Sequence, residues 1–135
     1  MQWLSIKTPL TTTDIQAIEE ALNIHLPADY KETIGPINGG ALRKAYVHIP
    51  ETGDLPYSRN IPLDKSSKAN ALELAKIINT SHIRYFPFAS VGNGDLFCFD
   101  LFDDNCIVVY LHESQRFISI CGSFTKLLSL INFSN

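Results

Sequence analysis

The stretch "FPFASVGNGDLFCFDL", residues 86–101, decides how the centre of this chain folds. Its Gly-Asn-Gly centre has the composition of a phosphate-binding loop, and Asp95 and Asp100 are candidate catalytic carboxylates. A phosphate-binding loop, however, needs a following helix, so that backbone N–H groups and the helix dipole converge on the anion. Here the aromatic segment "DLFCFDL" follows, which is typical of a strand. Asn93-Gly94 is a strong hairpin signal because both residues tolerate positive φ, and we therefore predict a hairpin.

Short segments rich in turn residues separate four apolar runs in the second half of the chain. Such short connections favour antiparallel neighbours, because a parallel crossover needs a dozen or more residues. We therefore predict an antiparallel meander. Its strands are residues 83–91, 95–101, 106–111 and 117–121.

Helical periodicity flanks this meander on the N-terminal side. "TTTDIQAIEEALNI" predicts a first helix, with Thr13 and Gln16 forming a capping box. "LPADYKETI" predicts a second, short helix that begins at Pro27 and ends at the Gly-Pro pair that follows. The Asn-Gly-Gly at 38–40 predicts a turn into the next element.

The remaining segments complete an α+β arrangement. Alternating residues in "RKAYVHIP" predict one further strand, whereas residues 51–65 show little periodicity and are predicted to form a surface loop. "SSKANALELAKIIN" predicts a helix capped by Ser66 or Ser67, and "SFTKLLSLIN" a last helix capped by Ser123. We predict a single α+β domain over residues 1–135, with an antiparallel meander of about five strands packed against N-terminal, middle and C-terminal helices.

Composition excludes several classes of function. The formal net charge of −3 gives a poor electrostatic basis for nucleic-acid binding. No apolar run approaches the ~20 residues of a membrane helix, and the N-terminus shows no secretory signal, so a cytoplasmic location is expected. The three cysteines are widely spaced, which is typical of reduced thiols in a cytoplasmic protein.

The sequence gives little support for a metal site or a catalytic site. Asp95, Asp100, Asp103 and Asp104 offer oxygen ligands for a hard cation, but "DLFDDN" lacks the Asp-x-Asp-x-Asp-Gly arrangement of a known calcium loop. We expect neither a metal nor another cofactor. Nucleophilic catalysis by a Cys98–His112 pair is also disfavoured, because the cysteines lie in apolar strands where packing accounts for them.

Several segments resemble a known family. "LPADYKETI…INGG" resembles the Leu-Pro-x-Asp-Tyr-Lys segment followed by Asn-Gly-Gly that marks the SUKH superfamily, also called the Smi–Knr domain. "FPFASVGNGDLFCFDL", "CIVVYLHES" and "ISICGSFTKLLSLI" are similar to its following strands and closing helix, in the same order. Two departures are the Gly35-Pro36 pair, where relatives continue the helix, and region 50–66, which matches nothing in the family pattern.

The resemblance implies a binding function without catalysis. Many bacterial members resemble immunity proteins that bind and block a toxin, often a nuclease, encoded beside them; fungal members resemble regulators of cell-wall synthesis. The leading hypothesis is an immunity protein that neutralises a cognate toxin and whose acidic side chains mimic nucleic acid. The candidate partner-binding residues are Glu51, Asp54, Asp95, Asp100, Asp103, Asp104 and Glu113.

Two alternatives from other classes stay open at this point. A small-ligand or regulatory domain would use a concavity lined by tyrosines. Its candidates are Tyr46, Tyr57, Tyr85 and Tyr110. An enzyme would use Asp100 and His112 as acid and base, which requires the two side chains to lie within hydrogen-bonding reach. An unpaired edge strand would also allow a homodimer.

Overall fold

Four α-helices and eight β-strands make up the fold in the computed structural model, which describes residues 1–135. The helices are α1 (Thr12–Leu22), α2 (Ala28–Ile34), α3 (Ala71–Ile78) and α4 (Phe124–Ser129), with a short 3₁₀ helix (Gly35–Ile37) after α2. The strands are β1 (Ala45–Ile49), β2 (Gly53–Pro56), β3 (Arg59–Asn60), β4 (Tyr85–Ser90), β5 (Leu96–Asp100), β6 (Cys106–Leu111), β7 (Arg116–Cys121) and β8 (Ile131–Phe133). The predicted α+β class is confirmed.

The strands form two antiparallel sheets. One has five strands in the order β3-β4-β5-β6-β7, and the other has three in the order β2-β1-β8. The predicted four-strand meander is therefore confirmed as β4 to β7. None of the helices has the length and apolar character that crossing a membrane requires.

The predicted hairpin at 86–101 is confirmed, although its turn differs in detail. β4 and β5 pair antiparallel, and the Val91 N–H closes the connection by donating to the Asp95 carbonyl at 3.0 Å. The positive φ values fall on the two glycines, at +109° for Gly92 and +102° for Gly94, while Asn93 keeps a negative φ. The Asn93 side chain instead accepts a hydrogen bond from the Asp95 N–H at 3.0 Å, which stabilises the bend locally.

Two of the three predicted helix caps were wrong. Helix α1 is capped by Thr11, whose extended backbone lets its hydroxyl accept from the Asp14 N–H, so Thr13 lies inside the helix. Helix α3 is capped by Asn70. The candidates Ser66 and Ser67 donate their hydroxyl protons to Asp64 instead. The predicted Ser123 cap of α4 is confirmed.

The predicted surface loop at 51–65 was also wrong. This segment contributes β2 and β3, and it buries Tyr57, Ile61 and Leu63 in the core. The prolines of this segment prevented the prediction of its strands, because proline weakens a strand prediction. Pro56 is tolerated since it ends β2, an edge strand of its sheet.

An aromatic cluster joins the helices to the five-stranded sheet. Tyr30 of α2 and Phe124 of α4 meet edge to face with ring centroids 5.3 Å apart. Both rings also contact Phe88 and Phe99 of the sheet. Outside this cluster, Asp29 Oδ2 accepts from the N–H and the hydroxyl of Thr125, each at 2.9 Å, which fixes α2 against α4.

The two buried tyrosines predict opposite effects when their hydroxyls are removed. The Tyr30 hydroxyl is buried without a hydrogen-bond partner, whereas the Tyr57 hydroxyl donates to Asn60 Oδ1 at 2.6 Å. Burial raises the pKa of both side chains, so both stay neutral. Tyr30→Phe should raise the free energy of unfolding by about 1 kcal/mol, and Tyr57→Phe should lower it by about 1–2 kcal/mol.

Urea denaturation of the two variants beside the wild type measures both changes. Each substitution removes one oxygen from a fully buried ring, so each variant is the control for the other. Equal destabilisation by both would mean that the Tyr30 hydroxyl has a hydrogen-bond partner.

Candidate functional site

The turn between β5 and β6 exposes the most solvent-accessible aromatic side chain of the chain. Phe102 is 65% exposed. Two consecutive β-turns hold it in place: the Asp103 N–H donates to the Asp100 carbonyl at 3.1 Å, and the Cys106 N–H donates to the Asp103 carbonyl at 3.0 Å. Asp104 and Asn105 adopt the left-handed conformation that the second turn requires, with φ values of +50° and +57°. Asp and Asn tolerate this conformation better than most residues.

A partly buried ion pair anchors this turn to the residue that precedes β4. Asp100, at the end of β5, is only 5% exposed and receives two hydrogen bonds of 3.0 Å from the Arg84 guanidinium. The Asp100 Oδ1 also accepts from the Phe102 N–H at 3.1 Å, and the Leu101 N–H donates to the Arg84 carbonyl at 2.7 Å. The hydrogen bonds to Asp100 raise the pKa of Arg84. Asp100 therefore positions Phe102 and has no oxygen free of internal partners.

Arg84 also connects Phe102 to an aromatic patch on the sheet. Its Cζ lies 5.7 Å from the centroid of the Phe102 ring and 5.0 Å from that of Tyr85. Tyr85 on β4 stacks on Phe117 of β7 with centroids 3.7 Å apart, and Tyr110 of β6 lies 5.0 Å from Phe117. We call Arg84, Tyr85, Phe102, Tyr110 and Phe117 the aromatic surface. Tyr, Phe and Arg are the residue types enriched in protein interfaces.

The exposed carboxylates of Asp103 and Asp104 border the aromatic surface. Asp100, Asp103 and Cys106 each place one possible ligand atom within 4.8 Å of the others. Both Asp100 oxygens already bind Arg84, so the guanidinium supplies the positive charge that a metal ion would bring. Burial, followed by the charges of Asp103 and Asp100, raises the pKa of Cys106, which makes its thiol a poor nucleophile.

A second buried carboxylate holds the opposite end of the meander. Asp95, 8% exposed, accepts from the His112 N–H at 3.0 Å and lies 2.6 Å from the His112 Nδ1. The imidazole lies against Gly94, where a Cβ would sit 3.0 Å from the Nδ1. Glu113 is the exposed residue that follows His112. Asp95 therefore ties the β4–β5 turn to the β6–β7 turn.

The seven predicted partner-binding residues lie in three separate places. Asp100, Asp103 and Asp104 belong to the β5–β6 turn, Asp95 and Glu113 to the opposite end of the meander, and Glu51 and Asp54 to the exposed β1–β2 hairpin. Five of the seven side chains are exposed, whereas Asp95 and Asp100 are buried and paired within the chain. Asp54 Oδ1 also lies 2.8 Å from His48 Nδ1.

The structure separates both candidate catalytic pairs. β5 and β6 run antiparallel, with Asp100 opposite Cys106 and Leu96 opposite Tyr110, so Asp100 and His112 lie at opposite ends of the ladder. Cys98 is fully buried in β5, and burial raises the pKa of its thiol. The acid–base pair and the thiol–imidazole pair are therefore not formed.

The four candidate tyrosines do not line a common concavity. Tyr85 and Tyr110 belong to the aromatic surface. Tyr46 and Tyr57 line a different, shallow cleft of about 320 Å³, and Tyr57 also stacks on Phe97 with centroids 5.6 Å apart.

Sequence reasoning missed three members of the aromatic surface: Arg84, Phe102 and Phe117. A usable signal existed for Phe102, because an aromatic residue inside the acidic turn "DLFDDN" has no strand neighbours to bury it. The contacts of Arg84 and Phe117 depend on strand register, which local pattern does not reveal.

The contact between Gly94 and His112 predicts unequal effects for two similar substitutions. Gly92→Ala and Gly94→Ala both place an alanine at positive φ, which costs about 1–2 kcal/mol. A Cβ at Gly92 meets only Ser58 at 3.6 Å, whereas one at Gly94 presses on the imidazole. Gly94→Ala should therefore lower the free energy of unfolding by about 1 kcal/mol more than Gly92→Ala.

Adding His112→Ala to each glycine variant tests the cause by chemical denaturation. The extra penalty of Gly94→Ala should disappear in this background, because the ring that it presses on is gone. An extra penalty that persists would mean that backbone strain, and not the imidazole, distinguishes the two glycines.

Comparison with family models gives a match that covers most elements of the structure. No curated protein matches the chain. The model of the SMI1 / KNR4 family (SUKH-1) matches residues 9–130, which include the β4–β5 hairpin, the β5–β6 turn and all four helices. The match extends over most of the 135 residues, and the chain therefore belongs to the SMI1 / KNR4 family (SUKH-1).

Proposed function

We propose that this chain is an immunity protein that binds a cognate toxin through the β5–β6 turn and blocks it without catalysis. Family membership supports a binding module, because SUKH domains are generally binding folds. The observation that carries the proposal is Phe102, a 65% exposed aromatic ring at the tip of a hydrogen-bonded turn. Exposed aromatic residues of this kind mark interaction sites when they continue into a larger patch.

The rigidity of the turn favours high affinity. Binding costs conformational entropy wherever loops become ordered, and a preorganised anchor reduces that cost. Phe102 is held by the backbone hydrogen bonds of the two β-turns and by the Asp100 carboxylate. Buried in a pocket of the partner, such a ring would act as a hot spot within an interface of about 1,600 Å².

The charges around Phe102 favour a basic partner. Asp103 and Asp104 are exposed beside the ring, while Asp100 is neutralised by Arg84. Two carboxylates next to an apolar anchor would speed association with a positively charged surface, such as the substrate cleft of a nuclease. The toxin is therefore proposed to be a nuclease or another enzyme with a basic active site.

The location and the binding partners of the protein follow from the same function. We propose a single domain over residues 1–135 that works in the cytoplasm and binds neither nucleic acid nor membranes. Three free cysteines agree with a reducing compartment. A homodimer would be compatible with this function through β7, since this edge strand has one unpaired side.

Substitution of the anchor tests the proposed function. Phe102→Ala should weaken binding to the toxin encoded beside this gene by at least about tenfold, because truncating a hot-spot ring costs more than about 1.4 kcal/mol. Calorimetry with the purified toxin domain and co-expression toxicity assays measure the loss. Phe133→Ala is the matched control, since this phenylalanine is 50% exposed on β8 of the other sheet.

The charges are tested separately from the ring. Asp103→Asn with Asp104→Asn should slow association and flatten its dependence on salt, with little change in dissociation. Equal losses from the Phe102 and Phe133 variants would contradict the proposed surface. Unchanged toxicity on co-expression of the wild-type protein would contradict the immunity function itself.

A further inference from the structure

A concave site lies at the other end of β4, away from the aromatic surface. It is a cleft of about 560 Å³ between the N-terminal segment, β3 and the turn that precedes α3. Every charged side chain that lines it is a cation: Lys7, Arg59 and Lys68. Such a concentration of positive charge is unexpected in a chain whose net charge is −3. Leu74, which is half-buried, supplies apolar surface in the same cleft.

Arg59 is the central member of this cleft. It lies on β3 and is half-buried, yet its guanidinium forms no ion pair and no side-chain hydrogen bond within the chain. Arg84, by contrast, binds a carboxylate through two hydrogen bonds. The N–H donors of this guanidinium therefore have no partner within the chain. An anion in the cleft would supply that partner.

The Asn-Gly-Gly turn places Lys7 at the cleft. The Lys7 N–H donates to the Asn38 carbonyl at 2.8 Å. The stem of Lys7 lies so close to Gly39 that a Cβ there would sit 2.3 Å from its Cγ, and Gly39 has a φ of +71°. Only glycine allows both this conformation and this approach. The Asn-Gly-Gly motif therefore forms a turn and also positions Lys7 at the cleft.

The fully buried Asn38 links segments that lie next to the cleft in the sequence. Its Nδ2 donates to the Thr8 carbonyl and to Asp64 Oδ1, and its Oδ1 accepts from the Leu63 N–H, all at 2.8 Å. Asp64 does not line the cleft, and its other oxygen accepts from the hydroxyls of Ser66 and Ser67. Its charge is therefore stabilised by local hydrogen bonds, and the three cations keep no carboxylate partner.

The rim of the cleft also carries backbone strain. Ala69 lines the cleft next to Lys68 and adopts a φ of +51°. Alanine has no side-chain oxygen to compensate for the left-handed conformation, which costs about 1–2 kcal/mol. Six other non-glycine residues of the chain also have positive φ, so this conformation describes the rim of the cleft and does not by itself mark a ligand site.

We propose that this cleft binds a small phosphate-bearing molecule. The planar guanidinium of Arg59 matches the geometry of phosphate oxygens, and Lys7 and Lys68 add point charges. The volume falls within the range of small-molecule sites. The apolar surface of Leu74 suits an organic group attached to the phosphate. This ligand site is independent of the proposed toxin-binding surface.

Calorimetric titration at low ionic strength tests the site with inorganic phosphate and with adenosine monophosphate. The wild type should bind at least one of them, and Arg59→Gln should weaken that binding at least tenfold. Arg43→Gln is the matched control, because it removes the same charge from an exposed position outside the cleft and should change affinity less than twofold. Tighter binding of adenosine monophosphate than of phosphate would indicate that the apolar wall contacts the organic group. Equal binding would indicate that the site recognises phosphate alone.

Two results would overturn the proposal. One is no binding of either anion by the wild type at millimolar concentration. The other is equal weakening by Arg59→Gln and Arg43→Gln, which would indicate attraction by overall charge only. Thermal unfolding of each variant controls for folding, and Lys68→Gln on the rim gives a second variant if Arg59→Gln is unstable.

Discussion

Burial of β5 on both faces is the constraint on which the rest of the structure depends. All five residues of the strand are buried. On one face Phe99 packs against Tyr30 and Phe124, which fixes α2 and α4 on the sheet. On the other face Asp100 brings a carboxylate into the protein, where an unpaired charge would be costly. The Arg84 guanidinium is therefore required, and with it the position of the turn that presents Phe102.

The sequence predicts several features that depend on neighbouring residues, although two of the three helix caps were placed wrongly, and it misses those that depend on register. The β4–β5 hairpin and the Ser123 cap are predicted because each is determined within a few residues. The pair Arg84–Asp100 joins residues sixteen positions apart, and its partners become apparent only when Tyr85 is placed opposite Asp100. Prediction of segment 51–65 failed because its buried residues follow the shape of the core and not a regular period.

Charge placement separates the charged residues that have partners within the chain from those that do not. Composition alone shows a mildly acidic protein and predicts an acidic surface. In the fold, Asp95 pairs with His112 and Asp100 pairs with Arg84. These two pairs hold the opposite ends of the meander. The carboxylates exposed beside Phe102 and the cations around Arg59 are among the charges that have no ion-pair partner within the chain. A net charge of −3 thus conceals an acidic turn and a basic cleft, the two places that we propose as binding sites.

The two sites lie at opposite ends of the same strand. β4 begins at Tyr85, beside Asp100 and the aromatic surface, and ends at Ser90, which lines the basic cleft. Six residues of extended strand separate these ends by about 17 Å. The two proposed binding sites are therefore separate on the surface of the molecule. β5 pairs with β4 from Tyr85 to Ser90, whereas β3 pairs only with Ala89 and Ser90 at the cleft end. The fold therefore favours two independent sites.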